Sequence, residues 1–475
     1  MTSPLSKLNQ DTQTSRYDGL TAMLLQETGL REDQLSTQTD VLSEHGTGES
    51  YAEVILPDVV VYPESTADVQ QILRLANHEE IPVTPVATNS SLEGITVPLK
   101  GGISLDMTRM NKLLELRPND LLAICGPGLP YPDLNAQAAE HGLFFPMDPG
   151  APASIAGMVS TNASGTAAVK YGTTADYVMA LEVVLANGEV IRTGNRARKS
   201  SSGYNLTKLF CGAEGTLGVI TEITLKLVGL PQHLMAARVP FPDMAHATQF
   251  ATSIIQHAVP IARCEAVGAK SIAAVNAYSS TDYPEDITIF LEFSGVSQAA
   301  LDADLELVRK LANAQGALSF EASHDADARE RLWDARHNAY YAQKAANPGK
   351  RVFVTDVAVP LSSLSEVVTD SLARFEAAGF PAYLLGHVGD GNFHLSIFYD
   401  DNDTSHATLQ ELGKALIEHA LSVWGTCTGE HGIGVRKLPY MAREHGASLG
   451  LMRQIKDQLD PKGILNPGKK LPAVD

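Results

Sequence analysis

Residues 81–94 read "IPVTPVATNSSLEG". The first six place β-branched side chains around two prolines and read as a strand. Most of the next eight are small or hydroxyl-bearing, which lets successive backbone N–H groups converge on an anion. A polar surface loop has the same composition, so the neighbouring sequence decides. Upstream, "PDVVVYP" (57–63) is another short strand and "STADVQQILRLANHEE" (65–80) a helix. Ser65 is placed to cap it, Asp68 stands three residues on, and Val69, Ile72, Leu73 and Ala76 share one face. "GGISLDM" (101–107) is a further strand. This is a β-α-β start, and a ligand belongs at the turn after residue 86.

Two more stretches share that texture. In "DPGAPASIAGMVSTNASGTAAVKYG" (148–172), Asp148-Pro149-Gly150 turns the chain and Ser154 precedes a short apolar segment. The small residues that follow permit close backbone approach to a bound group, or a tight helix–sheet contact. "CGAEGTLGVIT" (211–221) is a third Gly-rich entry to a strand. Three together favour a large phosphate-bearing cofactor.

The chain has 475 residues, which implies two or three domains, and its 44% apolar content is that of a globular protein. Thirty-six basic against 55 acidic side chains leave a net charge of −19. That balance argues against nucleic acid and against an anionic membrane surface. Cys125, Cys211, Cys264 and Cys427 are scattered without a C-x-x-C pair, so neither a disulfide framework nor an iron–sulfur site is expected. The polar N-terminus is no secretory signal, and no apolar run approaches the ~18 residues of a membrane span. A soluble cytoplasmic protein is the expectation.

"LEVVLANGEVIRT" (181–193) is a hairpin on Asn187-Gly188, and "VITEITLKL" (219–227) alternates as a half-exposed strand. From about 229 to 425, helical patterns alternate with strands such as "ITIFLEF" and "HLSIF", which marks a second α+β domain. The tail holds a helix closed by Asp460-Pro461.

Two stretches carry a different chemistry: "GHVGDGNFH" (386–394) and "TCTGEHGIG" (426–434). His387 and His394 flank a Gly-Asp-Gly-Asn turn, so the chain can fold back and bring both rings together. Glu430 can close the set. Two imidazoles and a carboxylate suit a divalent metal with open positions, although buried, hydrogen-bonded histidines are a common alternative. His431 should point away from Glu430, as a free base or a structural histidine.

Taken in order, these stretches together with "SSGYNLTKLF", "LWDARHNAYYA", "TDVAVP" and "LDPKGILNPGK" resemble the FAD-linked D-2-hydroxyacid dehydrogenases of the vanillyl-alcohol oxidase superfamily. The resemblance covers roughly residues 45–472 and is strongest to the cytochrome-linked D-lactate dehydrogenases. It implies an α+β chain: an N-terminal extension (1–45), a two-subdomain FAD-binding domain (46–228), a substrate or cap domain (229–425), and a C-terminal segment (426–475) that returns to the FAD domain. FAD would be held non-covalently by Pro85, Val86, Ala87, Thr88, Asn89, Ser90, Ser91 and Leu92, since no His or Cys lies in that loop. Further cofactor positions are Pro149, Gly150, Ser154, Gly157, Asn162, Ala163, Gly165, Gly172, Glu214, Gly215, Ile220 and Asn466. Relatives read Gly-x-Gly-Thr where this chain has Ala87-Thr88-Asn89-Ser90; Asn89 tolerates a positive φ, whereas Ala87 must manage with a Cβ.

The resemblance also implies zinc or manganese at His387, His394 and Glu430, Arg336 gripping the substrate carboxylate, and His431 as base. Without it, Arg336 would read as a surface residue of a helix. Relatives specific for 2-hydroxyglutarate carry a Lys just before the D-x-x-x-P block, where this chain has Val354-Thr355, which points to D-lactate. The alternatives are a 2-hydroxyglutarate dehydrogenase, the flavin subunit of a glycolate oxidase, and, remotely, a metal-dependent hydrolase. The implied partners are a small 2-hydroxyacid and an external electron acceptor, cytochrome c or a quinone at the inner membrane. A homodimer fits as well.

Overall fold

Val59–Val61 and Val83–Val86 both run parallel to Ile103–Asp106, and the helix Thr66–Glu79 crosses between the first two. Ser65 Oγ accepts the Asp68 N–H at the start of that helix, and Val69, Ile72, Leu73 and Ala76 are buried against the sheet. The computed structural model describes Tyr17, residues 19–48 and residues 53–473. Leu35–Ser36 adds an antiparallel edge strand to the sheet, and Leu20, Leu24 and Leu30 join its core. Residues 20–45, set apart as an extension by their sequence, therefore pack on this first subdomain. The C-terminal segment reaches the other edge: the Val83 N–H donates to Ile464, and the Asn466 N–H donates back to Val83.

The second subdomain is a five-stranded antiparallel sheet. Its order is Leu113–Arg117, Leu122–Cys125, Val219–Lys226, Val178–Val184 and Val190–Gly194. The expected hairpin joins the last two, with Gly188 at φ 79°. Val219–Lys226 is not the half-exposed strand its alternation suggests; only Glu222 and Lys226 are partly exposed. It is central in its sheet. The helix Ile155–Thr161 packs with one face, and Val219 reaches the core under Thr66–Glu79 on the other.

The third unit is an antiparallel sheet that includes His233–Phe241, Ile287–Gly295, Ile261–Val267, Ala382–His387 and Asn392–Tyr399 as successive neighbours. Helices Met244–Gln256, Gln298–Ala314, Leu361–Ala377 and Asp403–Ser422 supply the core on one face. Ala269–Ser279, Ala326–His337 and Ala339–Ala346 cover part of the other. The rest of that second face looks into a cavity shared with the first two subdomains.

Candidate active site

The cavity has a volume of about 880 Å³, in the upper part of the ~300–1,000 Å³ range typical of ligand sites. Residues 85–92 line it, with Pro149, Gly150, Ser154, Gly157, Ala163, Gly165, Glu214, Gly215 and Ile220. Asn162, Gly172 and Asn466 do not line it. Asn162 ends a helix in the left-handed region and accepts the Ala175 N–H. Gly172 turns the chain beside Asp176. Asn466 donates to the carbonyls of Ile95 and Glu214, which fixes the segment that carries Glu214.

In the first loop Asn89 has φ 51°, and its side chain ties the turn to Glu44, Thr47 and Thr96. Ala87 is not at positive φ, and its methyl packs on the first core, so its Cβ is accommodated. Among the described residues, the N–H groups of Thr88 to Ser91 have no partner, and Ser91 Oγ is buried without one. A buried hydroxyl such as that of Ser91 is normally paired. A pyrophosphate would satisfy these donors, so the loop fits FAD.

The strand pair Ala382–His387 and Asn392–Tyr399 folds back at the Gly-Asp-Gly turn, and the rings of His387 and His394 lie 5.5 Å apart. Each Nε2 faces Glu430 Oε1, at 3.3 Å from His387 and 3.2 Å from His394. Donors about 2.0–2.2 Å from one tetrahedral ion stand about 3.3 Å apart. The outer atoms are occupied: His387 Nδ1 meets Glu265, His394 Nδ1 meets the Thr355 carbonyl, and Ser164 donates to Glu430 Oε2. Such contacts fix ring tautomer and orientation at metal sites. The donor set fits a divalent ion. Burial opposes the charges of both His387 and Glu430, yet mutual attraction, with Glu265 added, holds His387 well above and Glu430 well below their usual ranges. A bound dication would replace that proton.

His431 turns its Nδ1 to Glu93 and Asp356 rather than to Glu430. Its ring stacks on His394, and its Nδ1 is 3.8 Å from Glu93 and 3.9 Å from Asp356. The cause is Asp356, whose Oδ2 accepts the N–H groups of Gly429, Glu430 and His431 and the Thr428 hydroxyl. That curls the turn around one carboxylate. Gly429 is required there, because a Cβ would strike Asn392 and Asp356. Lys437 Nζ, 3.1 Å from Asp356, balances its charge, and Glu93 stands 3.4 Å from the same ammonium. Burial works against a charged His431, but Asp356 and Glu93 outweigh it and raise the ring above the usual imidazole range.

Arg336 is buried on Ala326–His337 and lines the cavity, so it is not a surface residue. Its Nε and Nη2 lie 3.1 and 2.5 Å from Glu265 Oε2, and Nη1 has no partner among the described residues. Val354, one of the pair Val354-Thr355 singled out by the resemblance, is an apolar part of the wall. Sequence reasoning missed Glu265, Asp356, Glu93, Lys437 and Ser164. Asp356, Glu93 and Ser164 stood within the quoted "TDVAVP", 81–94 and 148–172 stretches without being singled out; Glu265 and Lys437 lie outside every quoted stretch.

Two family models match the chain: "FAD linked oxidases, C-terminal domain" over residues 230–470 and "FAD binding domain" over residues 57–194. The chain is 39% identical over 445 residues to the D-lactate dehydrogenase (cytochrome), mitochondrial, of Arabidopsis thaliana, covering 93% of this chain and 78% of that one. It is equally 39% identical over 445 residues to the probable D-lactate dehydrogenase, mitochondrial, of Danio rerio, covering 93% and 89%. The solved structure of p-cresol methylhydroxylase with substrate bound superposes with a TM-score of 0.78 at 17% identity, covering 96% and 98%. That likeness concerns the fold, the two-domain FAD-binding fold of the vanillyl-alcohol oxidase type. The chain belongs to the FAD-linked oxidases, in the family of the cytochrome-linked D-lactate dehydrogenases.

Proposed function

We propose that this protein is an FAD-dependent D-lactate dehydrogenase that oxidises D-lactate to pyruvate. What carries the reading is one cavity. The phosphate-type loop 85–92, Arg336, the His387–His394–Glu430 triad and His431 all line it, in a chain 39% identical to named D-lactate dehydrogenases. Bound FAD supplies the two-electron acceptor for the α-hydrogen of the hydroxyacid. His387, His394 and Glu430 would hold a divalent ion, which would supply a positive centre beside the substrate hydroxyl.

The chain's own residues orient and exclude. Arg336, already braced by Glu265, offers Nη1 to the substrate carboxylate, and a guanidinium suits that group geometrically. His431, stacked on His394, takes the hydroxyl proton. Asp356 and Glu93 favour a proton on His431, and the ring would act as base once that proton is lost to solvent. Val354 itself offers no charge to a distal carboxylate, which favours a small side chain at that part of the wall.

Asn162, Gly172 and Asn466 shape the cofactor site from behind its wall. A cytochrome is the acceptor that the relatives' names suggest. No helix among the described residues is long and apolar enough to cross a membrane.

The test is the anaerobic visible spectrum of the purified protein before and after D-lactate, with L-lactate as control. Bleaching of a flavin spectrum by the D-isomer alone supports the reading. A flavin spectrum bleached by glycolate or 2-hydroxyglutarate instead would replace the substrate, and a colourless protein that does not take up FAD would end the proposal.

A further inference from the structure

Glu265 sits at the middle of the strand Ile261–Val267 and is fully buried. The register that pairs Ala266 with Gly386 sets it directly across from His387 on the neighbouring strand. A carboxylate at the centre of a sheet is costly unless both oxygens are satisfied. Both are, by groups with different tasks. Oε1 lies 2.8 Å from His387 Nδ1, and Oε2 lies 3.1 and 2.5 Å from Arg336 Nε and Nη2.

The chemistry on the His387 side is directional. A carboxylate at Nδ1 accepts, so a ring that lost its second proton when a dication bound would keep the one on Nδ1 and offer Nε2, now 3.3 Å from Glu430 Oε1, as the ligand. On the other side, two nitrogens held by one oxygen fix the guanidinium plane and direct which nitrogen remains for a ligand. One carboxylate thus sets the lone pair of a metal-type ligand and the orientation of the substrate-type cation. Neither the Gly-rich stretches nor the two histidine stretches contain it.

We infer that Glu265 is a positioning residue that couples metal affinity at His387, His394 and Glu430 to the carboxylate grip of Arg336. This rests on the metal and Arg336 assignments made above. Glu265→Gln is nearly isosteric and separates the two roles. Arg336 demands an acceptor and so claims the amide oxygen, which leaves the amide NH2 facing His387 Nδ1. The ring must then carry its proton on Nε2 and lose the ligating lone pair.

The experiment uses FAD-loaded protein stripped of metal and titrated with Zn²⁺ by equilibrium dialysis, for wild type, Glu265→Gln and His387→Ala. Flavin absorbance serves as the check on folding. Wild type is expected to bind one ion that His387→Ala abolishes. Glu265→Gln should weaken that binding about 10- to 100-fold, the usual effect of losing such a partner, while the KM for D-lactate rises several-fold. Binding within twofold of wild type in Glu265→Gln would overturn the inference. No Zn²⁺ binding in wild type would instead overturn the metal assignment on which it rests. Should Glu265→Gln fail to retain FAD, the proton–nitrogen spectrum of ¹⁵N-histidine-labelled, Zn²⁺-loaded wild type decides. A His387 Nδ1 proton shifted far downfield and protected from exchange, as a carboxylate acceptor makes it, supports the role; an Nδ1 proton at the free-imidazole position sinks it.

Discussion

The ring of His431 lies flat on that of His394, centroids 5.0 Å apart and planes 12° from parallel. The backbone turn that Asp356 curls and this stacking contact together place the proposed base. His431→Gln is therefore expected to lower kcat for D-lactate by about 10²–10⁴-fold, the range for loss of a general base, while the Zn²⁺ content of the protein stays at the wild-type level. Loss of metal together with activity would make His431 a ligand instead.

Asp356 is the anchor of the turn. Its charge is fully buried, and Lys437 and the N–H groups of Gly429, Glu430 and His431 are its partners. Breaking a buried ion pair on one side costs about 3–5 kcal/mol. Asp356→Asn should lower the thermal unfolding midpoint by several degrees and weaken metal binding as well. A midpoint equal to wild type would show that the turn holds itself.

The first loop makes its own prediction. Asn89 stands at φ 51°, where an alanine is strained by roughly 1–2 kcal/mol and a glycine is not. In FAD titrations Asn89→Ala should raise the dissociation constant about tenfold, and Asn89→Gly less. Ala87→Gly should bring no gain in affinity, because Ala87 is not at positive φ.

Substrate choice can be moved. Val354 lies in the cavity wall, so Val354→Lys places an ammonium where a distal carboxylate would sit. The ratio of kcat/KM for D-2-hydroxyglutarate over D-lactate is expected to rise at least tenfold. An unchanged ratio would place the substrate's side chain elsewhere.

A pH effect on stability follows from His45 and Asp106, whose Nε2 and Oδ2 are 2.9 Å apart in a buried contact. Burial works against a charged His45, but Asp106 and the Val41 carbonyl outweigh it, so the folded value lies above the unfolded one. The folded state then binds the proton more tightly. The pair's stabilisation is fully present below the unfolded value, about pH 6.5, and is lost as pH rises through the folded value. His45→Gln should narrow the gap between denaturation midpoints at pH 6 and pH 8.5. A gap unchanged by the substitution would count against this assignment.

The β-α-β start, the Gly-rich loops, the hairpin at Asn187-Gly188 and the two histidine stretches are legible because each is local. Turn chemistry and apolar period act over a few residues, and His387 and His394 meet because a four-residue turn leaves their strands no other course. Asn89 at positive φ is a local property too. The burial of Val219–Lys226 on both faces is not, since it needs two helices from elsewhere in the chain. The sequence alone thus determined the strands, the loops and the identities of the candidate ligands. Only the tertiary structure decided that Glu265, 122 positions from His387, shares a carboxylate between that ring and Arg336, and that Asp356 curls the Glu430–His431 turn. Single buried acids such as these carry no pattern of their own. Their partners are chosen by sheet register and packing, which arise when distant segments meet.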